Sequence, residues 1–112
     1  MTIFEKIANR EIPADIVHEE DDFLAFHDVN PQAPVHVLIV PKRCIPRLAA
    51  MTGEDATLLG RMLVASKKIA GKLGVLESGY RLVINNGPDA GESVPHLHIH
   101  LLGKRQLAWP PG

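Results

Sequence analysis

His96-Leu97-His98-Ile99-His100-Leu101-Leu102 decides how the rest of the chain is read. In an extended strand successive side chains point to opposite faces, so the alternation of histidine with aliphatic residues predicts a strand over 96–102. His96, His98 and His100 share one face; Leu97, Ile99 and Leu101 share the other. One side is core and the other is chemistry. Alternate residues on a strand lie roughly 6.5–7 Å apart, so the pattern sets three imidazoles along a groove that can hold a phosphate. A single strand histidine is usually a packed residue with its hydrogen bonds satisfied. Three of the chain's six on one strand face point instead to function, because a row of rings titrating near neutral pH is otherwise a liability.

Working back from the histidines, Asn86-Gly87-Pro88-Asp89-Ala90-Gly91 reads as a loop and Tyr80 to Asn85 as a strand. Before them, Leu58, Leu59, Met62, Leu63, Ile69, Ala70 and Leu73 form one apolar stripe. Arg61, Lys67, Lys68 and Lys72 fall mostly off it. This is the main helix, opened by a capping box at Thr52-Gly53-Glu54-Asp55 and stopped by Gly74. Val35 to Val40, bounded by prolines and rich in β-branched residues, predicts a buried strand that carries His36. Ile16–Glu20 and Phe23–His27 form a hairpin around Asp21-Asp22. Ile3, Phe4, Ile7 and Ala8 make a short opening helix that should end at Pro13. Hairpins with helices inserted between them predict an α+β domain with a mainly antiparallel sheet. Residues 1–112 make a single domain, in which 104–112 form a C-terminal arm.

The formal net charge of -1 and a pI near 6.6 leave no global basic field, so neither nucleic acid nor membrane is an expected partner. Any phosphate must be held locally. One cysteine, Cys44, allows no internal disulfide and fits a reducing compartment; the charged start Met1-Thr2-Ile3-Phe4-Glu5-Lys6 is neither a signal peptide nor a membrane span. The expected location is the cytoplasm.

Gly91-Glu92-Ser93-Val94-Pro95-His96-Leu97-His98-Ile99-His100-Leu101-Leu102-Gly103 resembles the histidine triad motif. The wider chain, from Ile3-Phe4 through Phe26-His27-Asp28, Pro31-Gln32-Ala33-Pro34-Val35-His36 and Val40-Pro41-Lys42 to Trp109-Pro110-Pro111-Gly112, resembles the histidine triad nucleotide-binding (Hint) branch of the HIT superfamily. The resemblance implies a hydrolase, a purine nucleoside phosphoramidase that releases nucleoside monophosphate through a nucleotidyl-histidine. A neutral imidazole is a competent nucleophile, and a covalent intermediate splits one difficult displacement into two easier ones. On this resemblance His98 is the nucleophile, His100 contacts the phosphate oxygens, His96 supports the row and His36 lies behind it. Asp28 binds the ribose hydroxyls. Ile3, Phe4, Ile7, Ile12, Phe26, His27 and Val29 wall the base. Asn85, Gly91, Glu92, Ser93 and Val94 belong to the phosphate side.

The chain departs from the pattern at Glu92, where many members carry glutamine, and at Lys104 and Ala108. A carboxylate at 92 cannot donate a hydrogen bond and would repel a nearby phosphate. The resemblance also implies a homodimer, with sheets continuing across the interface and an arm bearing Trp109 reaching the partner's site. The expected ligand is a purine nucleotide, an AMP derivative, and no cofactor is required. His96, His98 and His100 could alternatively offer a weak zinc site, for which no further ligand cluster is present in the sequence. The other functional alternatives are a dinucleoside polyphosphate hydrolase and a non-catalytic nucleotide-binding adaptor.

Overall fold

Thr2 starts the first helix by a reciprocal cap: its hydroxyl accepts the Glu5 amide at 3.1 Å, and its own amide donates to Glu5 Oε1 at 2.9 Å. In the computed structural model, which describes residues 1–112, helix α1 spans Ile3–Ala8. It stops earlier than the expected Pro13, because Arg10 takes φ 63°, a left-handed turn that a helix cannot continue through. Strands β1 (Ile16–Glu19) and β2 (Phe23–His27) form the predicted hairpin, and β3 spans Val35–Pro41 with every residue buried.

At the main helix Thr52 caps a single 3₁₀ turn, Gly53–Asp55, which leads into α2 (Ala56–Lys72). The capping box forms as expected: the Thr52 hydroxyl also accepts the Glu54 amide at 3.2 Å, and the Thr52 amide donates to Asp55 Oδ2 at 2.9 Å. Met62, Ala65, Ser66, Ile69 and Ala70 form its buried face. Leu63 lies outside that face and is exposed, contrary to the expected stripe. Gly74, at φ 74°, ends the helix as predicted.

Strand β4 covers Tyr80–Val83, two residues shorter than expected, and β5 covers Ile99–Gly103. The sheet is antiparallel throughout, in the order β1-β2-β3-β5-β4. β5 starts at Ile99 rather than His96 for a reason in its neighbour. Ile39 pairs with Ile99, so continuing the register would set Leu97 opposite Pro41, which has no amide to give the ladder. Leu97 donates instead to Ile45 O at 2.6 Å.

The sheet separates two apolar clusters. Phe23, Ala25, Val37, Ile39, Ile99 and Leu101 face α2 and pack with Met62, Ile69 and Val75; Leu24, Phe26, Leu38 and Val40 face α1 and pack with Phe4 and Ile7. Fully burying a side chain such as Ile39 or Ile99 contributes about 1.5–3 kcal/mol. No helix is long and apolar enough to cross a membrane.

Candidate active site

His36 and His100 come from neighbouring strands. Because β3 and β5 pair His36 with Leu102 and Leu38 with His100, the two histidines lie diagonally on the α1 face of the sheet. Their rings are 5.1 Å apart, and His36 Nε2 lies 2.9 Å from His100 Nδ1. His98 follows in the same alternation, its ring 4.9 Å from that of His100. Phe4 meets His98 edge-on at 5.1 Å and His96 at 5.6 Å, so α1 covers the row.

The hydrogen-bond partners assign each ring its tautomer. A carbonyl only accepts, so His98 Nδ1, 2.8 Å from His96 O, carries the proton, and Nε2 keeps the lone pair. His96 Nε2 likewise donates to Pro41 O at 2.7 Å, leaving Nδ1 to accept from the Thr2 hydroxyl at 2.8 Å. The Gln32 amide donates to His36 Nδ1 at 3.0 Å, so His36 Nε2 donates to His100 Nδ1. His100, accepting at Nδ1, is left with Nε2–H as its one donor. The row therefore sets a bare nitrogen on His98 next to a ring N–H on His100.

Burial keeps the supporting rings neutral. It lowers the His96 and His36 pKa values below the ordinary histidine range, with the Pro41 carbonyl opposing the shift at His96 and Asp28 opposing it at His36. Burial also lowers His100, helped by the charges of His98 and His36, to about 4.

A cavity of about 270 Å³ opens on this face. His98 and His100 border it, together with Ile3, Phe4, Ile7, Ile12, Phe26, His27, Asp28 and Val29. Ser93 and Val94 complete the expected residues brought to it. Asp28 Oδ1 accepts the Asn30 amide at 2.9 Å, which fixes the carboxylate, while Oδ2 stands 3.4 Å from His36 Nε2. A larger, shallower depression of about 500 Å³ on the outer face of α2 contains no histidine.

Six of the expected residues do not border this cavity. His96 is wholly buried and His36 lies behind His100, so only two of the three triad imidazoles, His98 and His100, border the opening. Asn85, Gly91 and Glu92 do not border the cavity. Glu92 instead pairs with Arg47 and accepts the Gly87 amide at 3.0 Å. Trp109 is 82% exposed, away from this chain's own cavity.

Pro13, Ala14 and Leu38 border the cavity and were missed. Leu38 was legible, because it sits two residues after His36 on the same strand face. Thr2 was missed as a histidine partner, although Thr2 followed by Glu5 has the spacing of a capping box. Arg47 had no signal in the sequence.

The tautomers also fix which ring nitrogens keep a lone pair. His98 Nδ1 and His96 Nε2 donate to carbonyls, and the remaining nitrogen of His96 takes the Thr2 hydroxyl, so the triad offers no converging set of lone pairs. Asp28, His36 and His100 do converge, but the Gln32 amide occupies His36 Nδ1, so a metal on Nε2 would require an imidazolate. Glu5, Cys44 and His96 converge as well. Their groups are already partnered, with Thr2 on both Glu5 and His96 and with Pro95 O on the Cys44 thiol at 3.5 Å.

The HIT domain model matches residues 9–107. An uncharacterized HIT-like protein of Synechococcus elongatus is 60% identical over 111 residues, covering 99% of this chain and 96% of its own length. A second, from Synechocystis, is 58% identical with the same coverage. The crystal structure of a HIT family hydrolase from Legionella pneumophila superposes with a TM-score of 0.97 at 47% identity, covering both chains completely. With the family model matched over 9–107 and relatives of 58% and 60% identity along nearly its whole length, the chain belongs to the HIT domain family.

Proposed function

We propose that the protein is a hydrolase of purine nucleoside phosphoramidates, AMP derivatives above all, and that it acts through a covalent nucleotidyl-histidine on His98. One observation carries this: the His96 carbonyl holds the His98 Nδ1 proton, so Nε2 is a lone pair on a ring that borders a nucleotide-sized cavity. His98 Nε2 attacks the phosphorus as the P–N bond breaks, and the nitrogen, protonated from solvent, leaves as the neutral amine. His100 Nε2–H, held in that tautomer by His36, donates to a phosphate oxygen as negative charge grows. Water then attacks the adduct from the vacated side and returns His98. Asp28 binds the ribose, and the apolar wall of Phe4, Ile7, Ile12 and Phe26 holds the base. The Legionella relative, a HIT family hydrolase, supports the reading.

The experiment is adduct trapping. Quenched wild-type protein incubated with adenosine phosphoramidate should gain the mass of one AMP moiety on the His98 peptide, and His98→Ala should gain none. Wild-type turnover without any adduct would overturn the covalent route. No cofactor enters the scheme, and chelators should leave the rate unchanged.

The same reading makes the protein a cytoplasmic homodimer. Its support is a single free cysteine, β4 at a sheet edge, and a C-terminal arm whose Ala108 carbonyl is held by Arg81 at 3.0 Å while Trp109 stands exposed. Sedimentation of the full chain and of a chain ending before Trp109 tests the dimer and the arm separately.

A further inference from the structure

Arg47 stands just before the 3₁₀ turn Leu48–Ala50, and its guanidinium grips the Glu92 carboxylate as a fork. Its Nε lies 3.0 and 3.3 Å from the two oxygens, and its Nη2 lies 3.1 Å from Oε2. The carboxylate also accepts the Gly87 amide at 3.0 Å, while the Glu92 amide donates to Gly87 O at 3.1 Å, so residue 92 closes the loop on itself. A second tie joins the same two segments, the Ala49 amide donating to Asn86 Oδ1 at 2.7 Å.

Glu92 immediately precedes Ser93 on the cavity rim, and its side chain is only 13% exposed. Arg47 first and the Gly87 amide second hold the carboxyl ionised, and the His98 ring is near enough to add to this. A lone carboxylate there would repel a phosphate. A guanidinium in fork contact cancels most of that field.

We propose that Arg47 is a positioning residue of the phosphate site: it turns the Glu92 carboxylate toward the Gly87 amide and neutralises it, keeping the cleft beside His98 open to an anionic phosphate. The ligand class rests on the function proposed above. An Arg47–Glu92 pair here does electrostatically what an uncharged residue at position 92 would do alone.

The test measures AMP affinity by calorimetry, and kcat/KM on adenosine phosphoramidate, in R47K, R47Q, E92Q and R47Q/E92Q. R47Q should weaken AMP binding and lower kcat/KM by about tenfold, the scale of one uncompensated charge near a partly solvated phosphate. The double variant should return both to within about threefold of wild type, since it removes the charge together with its partner. R47K should keep most of the affinity, and E92Q should bind AMP at least as tightly as wild type. An R47Q protein that matches wild type overturns the proposal. So does a double variant as impaired as R47Q, which would make the pair a loop staple and no more. Should R47Q fail to fold, E92Q decides, and weaker AMP binding in E92Q would overturn the proposal. AMP affinity is read without turnover, so a missing His98 adduct in wild type counts against the proposed reaction and not against Arg47.

Discussion

At the scale of single residues, the site is built from hydrogen-bond donors that allow each ring only one tautomer. Thr2 shows how little separates capping from chemistry, because one hydroxyl accepts the Glu5 amide and donates to His96 Nδ1. Thr2→Ala removes both bonds and strands a nitrogen on a wholly buried ring. We expect a loss of about 1.5–5 kcal/mol, the sum of a lost cap and an unsatisfied buried acceptor, measured by urea unfolding. A loss within experimental error would mean that water or another donor replaces the hydroxyl. The buried rings also set the response to acid. His36, His96 and His100 have folded pKa values below the unfolded one, so in acid the unfolded chain binds more protons than the native one. Stability is therefore full above about pH 6.5, the unfolded histidine pKa, and falls as pH drops below it. The His100 part is lost by about pH 4. Glu19, Glu92 and Asp55, held low by Lys42, Arg47 and the Thr52 amide, change stability in the same direction at lower pH. His100→Gln isolates the ring: its melting temperature should fall less steeply than wild type between about pH 6.5 and 5.

At the scale of elements, packing sets the limits that residue type alone leaves open. A Cβ on Gly103, at the end of β5, would come within 2.9 Å of Val75 Cγ1 where the chain leaves α2. Gly103→Ala should cost about 1–3 kcal/mol through overpacking, and Val75→Ala in the same chain should recover part of that loss. Unfolding curves of the two single variants and the double one form the cycle that checks it. The elements themselves were largely legible in the sequence, because hydrophobic period and turn residues are local signals. The hairpin around Asp21-Asp22, the β3 strand and the Gly74 stop all follow from a few neighbouring residues. Their ends were less legible. Nothing within residues 96–102 reveals that the ladder fails before Ile99, because the cause is Pro41 on another strand. Leu63 fits a helical stripe by spacing, yet it lies outside the face that α2 buries. The cavity was readable where strand alternation orders its wall, as at Leu38. It was unreadable where a long-range ion pair decides, as at Arg47 with Glu92.

At the scale of the whole molecule, the sheet divides labour between its faces. Twelve buried residues form the cluster on the α2 side and six form the cluster on the α1 side, so the larger core carries the fold and the smaller one doubles as the cavity wall. Helix α1 has six residues, far below the ~12–15 at which an isolated helix becomes marginal in water. It is held by the Thr2 cap and by Phe4 and Ile7, which also border the cavity. Opening α1 and dismantling the site are thus one event, and it should require less free energy than opening α2. A nucleotide bound only to the closed form then slows that opening by mass action, by about 100-fold at a free concentration of 100 times Kd. Hydrogen exchange with and without AMP measures this directly. Amides of α1 should exchange faster than those of α2 in the free protein and gain protection on adding AMP. The outer-edge amides of β4, which contributes no residue to the cavity, should not change. Unaltered exchange in α1 at saturating AMP would show that the helix opens without disturbing the ligand, and Phe4 and Ile7 could then not be its wall.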